Sequence, residues 1–376
     1  MARSVHAYVR GNTAQFYRWL EESTVAKLIP AGPPIWICGD CHLGNLGPLA
    51  DADGRVDIQI RDLDQTVIGN PAHDLIRLGL SLQTAARSSD LPGVTTAQMI
   101  EAMIRGYTRA LAKDAGADPM EPDVVRSVRR EAIGRGWHRL AKERLKDIEP
   151  EIPLGKRFWE LTDRERDAIT ALFEQPAIVD RALELANLGK GTIRVVDAAY
   201  WRKGCSSLGK LRYAVLLGVS RKRSRRERFA LVDIKEAVPA VVPTAAESEM
   251  PGDAAEGVVA GAKALAPNLG ERMIPARLMS RPVVMRQLAP QDLKIEVEQF
   301  SRKEAIAAAE YLAYIVGLAH SRQLSPSQRR LWRNKLIHQA HERLAAPSWL
   351  WRSVMVLASE HEAGYLDHCR RFALTA

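Results

Sequence analysis

The sequence predicts an α+β protein in which a β-rich tract lies between two helical ones. Three observations carry this. Residues 71–186 hold amphipathic, helix-forming stretches. Residues 192–237 hold three β-rich runs separated by Gly-containing or basic turns, the pattern of an antiparallel meander. From about 302 the chain returns to helical periodicity with KEAIAAAEYLAYIVGLAHSR and Trp-rich amphipathic segments.

The elements follow in order. IWIC (35–38) reads as a short buried strand, and VDIQIR (56–61) alternates as a strand after the turn DADG (51–54). The two flank the loop GDCHLGN. Asp74 is placed to cap DLIRLGLSLQTAAR, and Thr95 with Gln98 has the capping-box spacing before AQMIEAMIRGYTRALAK. Helical, charge-rich sequence then runs to about 186, interrupted by Pro150 and Pro153. TIRVVDAAYW (192–201), KLRYAVLLGV (210–219), FALVDIKEA (229–237) and RPVVMRQLA (281–289) are the predicted strands of the second tract. DAAEGVVAGAKAL (253–265) is a helix between the last two.

Composition bounds the function. Of 376 residues, 46% are hydrophobic and 26% charged, which is globular composition with length for about two domains. No apolar run reaches the roughly 18–20 residues of a membrane span. The start MARSVHAYVRGNT lacks the apolar core of a signal peptide. With four scattered cysteines there is no disulfide framework, and a reducing cytoplasm is expected. The net charge of +9 is partly local: 220–228 carries six basic residues and 126–146 carries eight. No aromatic residues interleave 220–228, so a solvated surface is favoured over a nucleic-acid platform.

Residues 36–47, WICGDCHLGNLG, admit two chemistries. Cys38 and Cys41 have the C-x-x-C spacing of redox dithiols and zinc sites. A closed zinc site needs four ligands, and no second C-x-x-C exists. The other chemistry is phosphoryl transfer, which needs an acid to orient a hydroxyl and carboxylate or amide oxygens to hold Mg²⁺. Asp40 and Asn45 lie on one loop. Asp62 and Asp64 end the following strand, and Pro71 and Asp74 come after.

Asp40, His42, Asn45, Asp62, Pro71 and Asp74 together resemble, in residue and spacing, the catalytic and metal-binding pattern of aminoglycoside phosphotransferases and choline kinase-like enzymes. The resemblance implies that Asp40 is the catalytic acid, Asn45 and Asp62 hold Mg²⁺, and Asp74 is structural. Asp64 is an added carboxylate with no assigned role but a place at the metal. His42 shapes the loop beside Asp40.

A kinase-like site also needs a phosphate loop and a lysine, which normally precede the catalytic loop. Here the candidates come later. Gly204, Ser206, Ser207 and Gly209 lie in a turn between two predicted strands, and Lys235 lies on the third. Met285 to Leu288, with Gln287, would line the adenine side. The whole chain also resembles a bacterial domain-of-unknown-function family that has this motif order, in GCSSLG, Lys235-Glu-Ala, Val284-Met-Arg-Gln-Leu and Gly317-Leu-Ala-His320. Two departures stand out. Ser206 replaces a middle Gly, and Ala260 stands where that family tends to have Glu, so Glu256 is the expected partner of Lys235.

The resemblance implies a circularly permuted, two-lobed protein-kinase-like fold. Residues 1–186 would carry the catalytic and metal loops of the large lobe, 187–293 the small β lobe, and 294–376 helices returning to the large lobe. The expected activity is ATP- and Mg²⁺-dependent transfer to a hydroxyl of an unidentified acceptor. The rivals are a nucleotide-binding regulatory protein without turnover, an AMP-transferring enzyme, and a basic nucleic-acid binder.

Overall fold

The computed structural model describes residues 8–9, 11–51, 53–112, 119–133, 151–185, 191–202, 209–221, 228–246, 248–289, 292–293, 301–338 and 346–373. It is a mixed α+β structure with eleven α-helices among the described residues and antiparallel sheets.

After helix α1 (Thr13–Glu22) the chain forms β1 (Ile35–Ile37), a 3₁₀ turn (Leu43–Asn45), β2 (Leu46–Ala50), β3 (Val56–Ile60) and β4 (Val67–Gly69). The predicted strands at 35–38 and 56–61 are present but do not pair with each other. β1 pairs with β4, and β2 with β3, both antiparallel. β2 and β4 were not legible in the sequence. β2, LGPLA, carries Gly47 and Pro48, which lower strand propensity, yet Pro is tolerated in a two-stranded ribbon whose outer edge needs no donor.

Helices α2 (Pro71–Ser88) and α3 (Gly93–Leu111) follow. The cap of α2 is Asn70, whose side chain accepts from the Ala72 amide, with Pro71 in the first turn. Asp74 therefore lies within the helix and not at its cap. The Thr95–Gln98 capping box does not form either: α3 begins at Gly93 with no side-chain cap, and Gln98 accepts from Arg302 instead. Next come α4 (Asp123–Ile133), β5 (Phe158–Trp159), α5 (Asp163–Leu172) and α6 (Pro176–Leu185).

The second tract forms one six-stranded antiparallel sheet, ordered β5-β6-β7-β8-β10-β9. Its strands are β6 (Gly191–Trp201), β7 (Arg212–Arg221), β8 (Arg228–Glu236), β9 (Met273–Leu278) and β10 (Arg281–Gln287). Helices α7 (Ala254–Leu265) and α8 (Pro267–Gly270) connect β8 to β9. β9, an edge strand containing Pro275, adds to the predicted meander. Both faces of the sheet are covered. Tyr213, Val215, Leu217 and Ile234 pack with Ile169, Leu172, Ile178 and Leu183 of α5 and α6. Ala214, Leu216 and Leu231 of the other face pack with Ile152, Phe158, Trp201 and Leu288. Residues 158–185 thus pack with the sheet, on the N-terminal side of the boundary expected at 186. Strand β5 is two residues long, too short to carry a period, and it hid this association.

The chain closes with α9 (Arg302–Ser321), α10 (Pro326–His338) and α11 (Ser348–Ala373). α9 packs on α3 at very short range. A Cβ on Gly106 would lie 2.0 Å from the Glu310 carbonyl oxygen, and one on Gly317 would lie 2.7 Å from the Ala110 Cβ. The returning helix therefore joins the N-terminal core, where Ala305, Ala309, Leu312 and Val316 are buried with Met99, Met103 and Tyr107. Among the described residues, no helix is long and apolar enough to cross a membrane.

Candidate functional site

The loop 38–45 and the end of β1 are held by side chains of four residues. Asp74, fully buried in α2, accepts from the backbone amides of Cys38 (2.8 Å) and Gly39 (2.9 Å). Tyr17 of α1 donates to the Gly39 carbonyl at 2.7 Å. Thr66 donates to the Ile37 carbonyl at 2.7 Å, and Ser81 accepts from the Leu43 amide at 3.1 Å. Gly39 has φ +74°, and a Cβ there would lie 2.2 Å from the Gln65 carbonyl oxygen. The position needs glycine both for its left-handed backbone and for that approach.

This bracing presents Asp40. Arg77, a turn after Asp74 on α2, is fully buried and holds Oδ1 of Asp40 through Nε (2.9 Å) and Nη2 (2.8 Å). Asp40 Oδ2 lies 4.0 Å from His42 Nε2. Asn45 donates from Nδ2 to the Asp40 carbonyl at 2.9 Å, so the loop closes on itself. Arg77 was missed in the sequence. Its position in an amphipathic helix reads as surface, and only the fold turns it inward.

The cysteines are buried and free. A hydrogen bond to Cys41 and then burial push the Cys38 thiol well above the ordinary range. The same bond pulls Cys41 the other way, but burial and the Asp74 charge carry it up. Neutral, enclosed thiols do not suit redox exchange. Cys38 Sγ faces the Asp62 carbonyl at 3.6 Å, and the pair serves as small packing residues at a strand end.

Across from the loop, the sheet contributes Lys235. It contacts Asp64 directly, and its Nζ lies 3.9 Å from Asp62 Oδ1. Both carboxylates are partly exposed, at 55% for Asp62 and 43% for Asp64, so water and a ligand reach them. The expected Lys235–Glu256 pair is not what the structure has. Glu256 is exposed in the first turn of α7, and the carboxylate that meets Lys235 is Asp64. Asp253 caps that helix, which sets Glu256 at its solvent side. Gly261 of α7 meets Thr66, where a Cβ would lie 2.5 Å from the Thr66 side chain, and this close packing brings the two halves of the site together.

Lys235 shares a sheet face with Val284 and Arg212, its cross-strand neighbours, and with Asp233 and Arg286 one pleat along. Arg212 and Asp233 form a buried two-point ion pair at 2.7 and 3.1 Å. Gln287 lies at the end of β10, but its backbone is occupied: its amide donates to the Arg272 carbonyl at 3.1 Å, and its carbonyl accepts from Arg272 at 3.2 Å. The Leu288 amide donates to the Leu231 carbonyl at 2.9 Å. A base at this edge would meet side chains rather than free backbone donors. Gly209 is exposed with φ +78°. Gly204, Ser206 and Ser207 lie outside the described residues, as do 134–146 and 222–227 of the two basic segments.

Among the described residues, no three His, Cys, Asp or Glu side chains are grouped to hold a metal ion. The oxygen donors Asn45, Asp62 and Asp64 still suit Mg²⁺. That ion commonly takes one or two carboxylates from protein and completes its shell with phosphate oxygens and water.

A sequence model of a family described as "Uncharacterized protein conserved in bacteria (DUF2252)" matches residues 1–371. No curated protein and no solved structure matches the chain.

Proposed function

We propose that this chain, which belongs to that conserved bacterial family, is an ATP- and Mg²⁺-dependent phosphotransferase with a circularly permuted, two-lobed kinase-like fold. The observation that carries the reading is the meeting of Lys235 with Asp62 and Asp64 beside the Asp40–Asn45 loop. In this reading a cationic sheet residue, an acidic strand end and a polar loop from distant parts of the chain would line one cleft.

In this reading Lys235 binds the nucleotide phosphates, and Asp64 keeps its ammonium oriented when no nucleotide is there. Asp62, with Asn45, would hold Mg²⁺; when bound, the ion offsets phosphate charge. Asp40 positions the acceptor hydroxyl for in-line attack. Arg77 fixes Oδ1, so Oδ2 is the oxygen that faces the hydroxyl. The hydroxyl proton passes towards that oxygen as the phosphoryl group arrives.

A second reading, a nucleotide-binding regulatory protein without turnover, is favoured by one observation. Arg77 already pairs with Asp40 from inside the fold, so one of its carboxylate oxygens is engaged before any substrate arrives. AMP transfer from the same cleft is separated from phosphoryl transfer by its product, pyrophosphate in place of ADP.

The test is a thermal-shift titration with ATP and Mg²⁺ on wild type and Asp62→Ala. Wild type should be stabilised, by about 2.7 kcal/mol at a hundredfold excess over Kd, and the variant should not respond. Absence of a shift in wild type overturns the reading. A shift with no ADP or pyrophosphate formed selects the regulatory one.

A further inference from the structure

The cleft holds more positive charge than phosphotransfer at Lys235 uses. Arg61 follows β3, Arg272 precedes β9 and Arg286 lies in β10, and all three converge on Asp292. Arg272 forks onto Asp292 at 2.8 and 3.2 Å, and Arg286 Nη2 reaches Oδ2 at 2.7 Å. Arg61 reaches only the Asp292 main-chain carbonyl, at 3.3 Å. Three guanidinium groups thus face one carboxylate. Asp233, opposite Arg286 in the ladder, adds no free charge, because Arg212 holds both of its oxygens. Asp62 lies 3.9 Å from Lys235, and its charge also reaches Arg61.

The site is enclosed. The side chains of Asp292, Arg272 and Arg286 are only 7%, 9% and 18% exposed. The Nε atoms of Arg61 and Arg286 are buried with no hydrogen-bond acceptor. Low-dielectric surroundings make an uncompensated guanidinium costly, so a cluster in which guanidinium groups outnumber the carboxylates is poised for a counter-ion.

We propose that Arg61 and Arg286 form a subsite for a phosphate-type dianion, carried by the ligand that fills the cleft and separate from the phosphate position at Lys235. The excess of guanidinium groups favours an anion, and the guanidinium fork with its unpartnered Nε atoms matches phosphate oxygens. Arg286 sits on the face of the sheet that carries Lys235, two residues along the ladder. One ligand, or two side by side, can therefore reach both. The inference deepens the phosphotransfer reading by naming charge on its ligands, but the subsite uses residues that reading does not. Amino alcohols and amino sugars, whose ammonium groups would face Arg61, are poor acceptors on this account.

The probe is inorganic phosphate, titrated into the intact protein and followed by calorimetry and by the Nε–H resonances of Arg61 and Arg286. Binding near about 1 mM is expected, with both resonances shifting and acetate binding more weakly. Arg61→Gln and Arg286→Gln should each weaken it by about tenfold or more. Asp62→Ala should leave it unchanged. Resonances that do not move in wild type overturn the proposal, whether or not the variants fold, and so do folded variants that bind phosphate like wild type. If Mg·ATP displaces phosphate, the dianion belongs to the nucleotide; if both bind together, it belongs to the acceptor. Phosphate binding in a protein that ignores Mg·ATP would leave the subsite standing and the phosphotransfer reading fallen.

Discussion

Arg77 and Asp40 form an ion pair in which the cation has no access to water: Arg77 is 0% exposed, Asp40 is 16% exposed, and Nη2 lies 2.8 Å from Oδ1. Arg77 also donates to the Val9 carbonyl at 2.8 Å and lies over the Phe16 ring at 5.6 Å. Removing the guanidinium strips the pairing from a carboxylate with little water to replace it. Arg77→Met should therefore cost about 3 kcal/mol in denaturant unfolding. A loss below about 1 kcal/mol would show that Asp40 is held by something else.

Asp74 is braced in turn by a buried chain of hydrogen bonds. The Trp332 indole N–H donates to the Tyr107 oxygen at 3.1 Å, Tyr107 meets His320 Nδ1 at 2.9 Å, and His320 Nε2 meets Asp74 Oδ2 at 3.1 Å. With Trp332 donating to its oxygen, the Tyr107 hydroxyl has its own proton to offer Nδ1, which leaves Nε2 to donate to Asp74. His320→Ala leaves Asp74 and Tyr107 each short of a partner and should cost about 2–3 kcal/mol. It should also speed amide exchange at Cys38 and Gly39 beyond the change seen in distant helices. Unchanged exchange at those two amides would show that the chain does not reach the loop.

The sequence made one half of this site legible and obscured the other. Asp40, Asn45, Asp62 and Asp64 share a short segment whose spacing is fixed by two strands and a loop, so local chemistry reveals them. Lys235 was legible only through the order of elements around it. Arg77, Tyr17, Tyr107 and His320 were not assigned to the site, because a polar residue on a helix reads as surface until another helix covers it. Glu256 failed for a related reason. A helical repeat places it on a face, but the cap at Asp253 decides which way that face turns. Strands β2 and β9 contain Pro, which hides pairing at a sheet edge.

Gly39 offers a test that separates backbone strain from crowding. Gly54 has a similar positive φ, +83°, but no atom lies within 4 Å of a Cβ there. Gly54→Ala should cost about 1 kcal/mol, the price of left-handed backbone alone. Gly39→Ala adds a contact of 2.2 Å with the Gln65 carbonyl oxygen and should cost at least about 3 kcal/mol, lowering Mg·ATP response as well. Equal effects at the two positions would mean that the loop moves freely away from Gln65.

His361 predicts how stability varies with pH. It is fully buried in α11, with Nδ1 bonded to the Leu357 carbonyl at 3.0 Å and Nε2 without a hydrogen-bond partner. Burial first, and then the charge of Arg77, lower its pKa from 6.5 to about 4, while the Leu357 bond opposes the shift. Between those values the unfolded chain binds a proton that the folded chain refuses. Its contribution is therefore complete above about pH 6.5 and is lost as pH falls towards 4, by roughly 3 kcal/mol. His73, lowered to about 4 mainly by burial, acts in the same window, whereas Asp292 does not. Burial raises the Asp292 carboxyl, but Arg286 and Arg272 outweigh it and bring the pKa from 3.8 to about 2, so its loss comes at lower pH. His361→Gln should flatten the unfolding free energy between pH 6.5 and 4 while leaving the steeper fall below pH 4 in place. A variant that keeps the full wild-type slope above pH 4 would mean that His361 is already protonated in the fold.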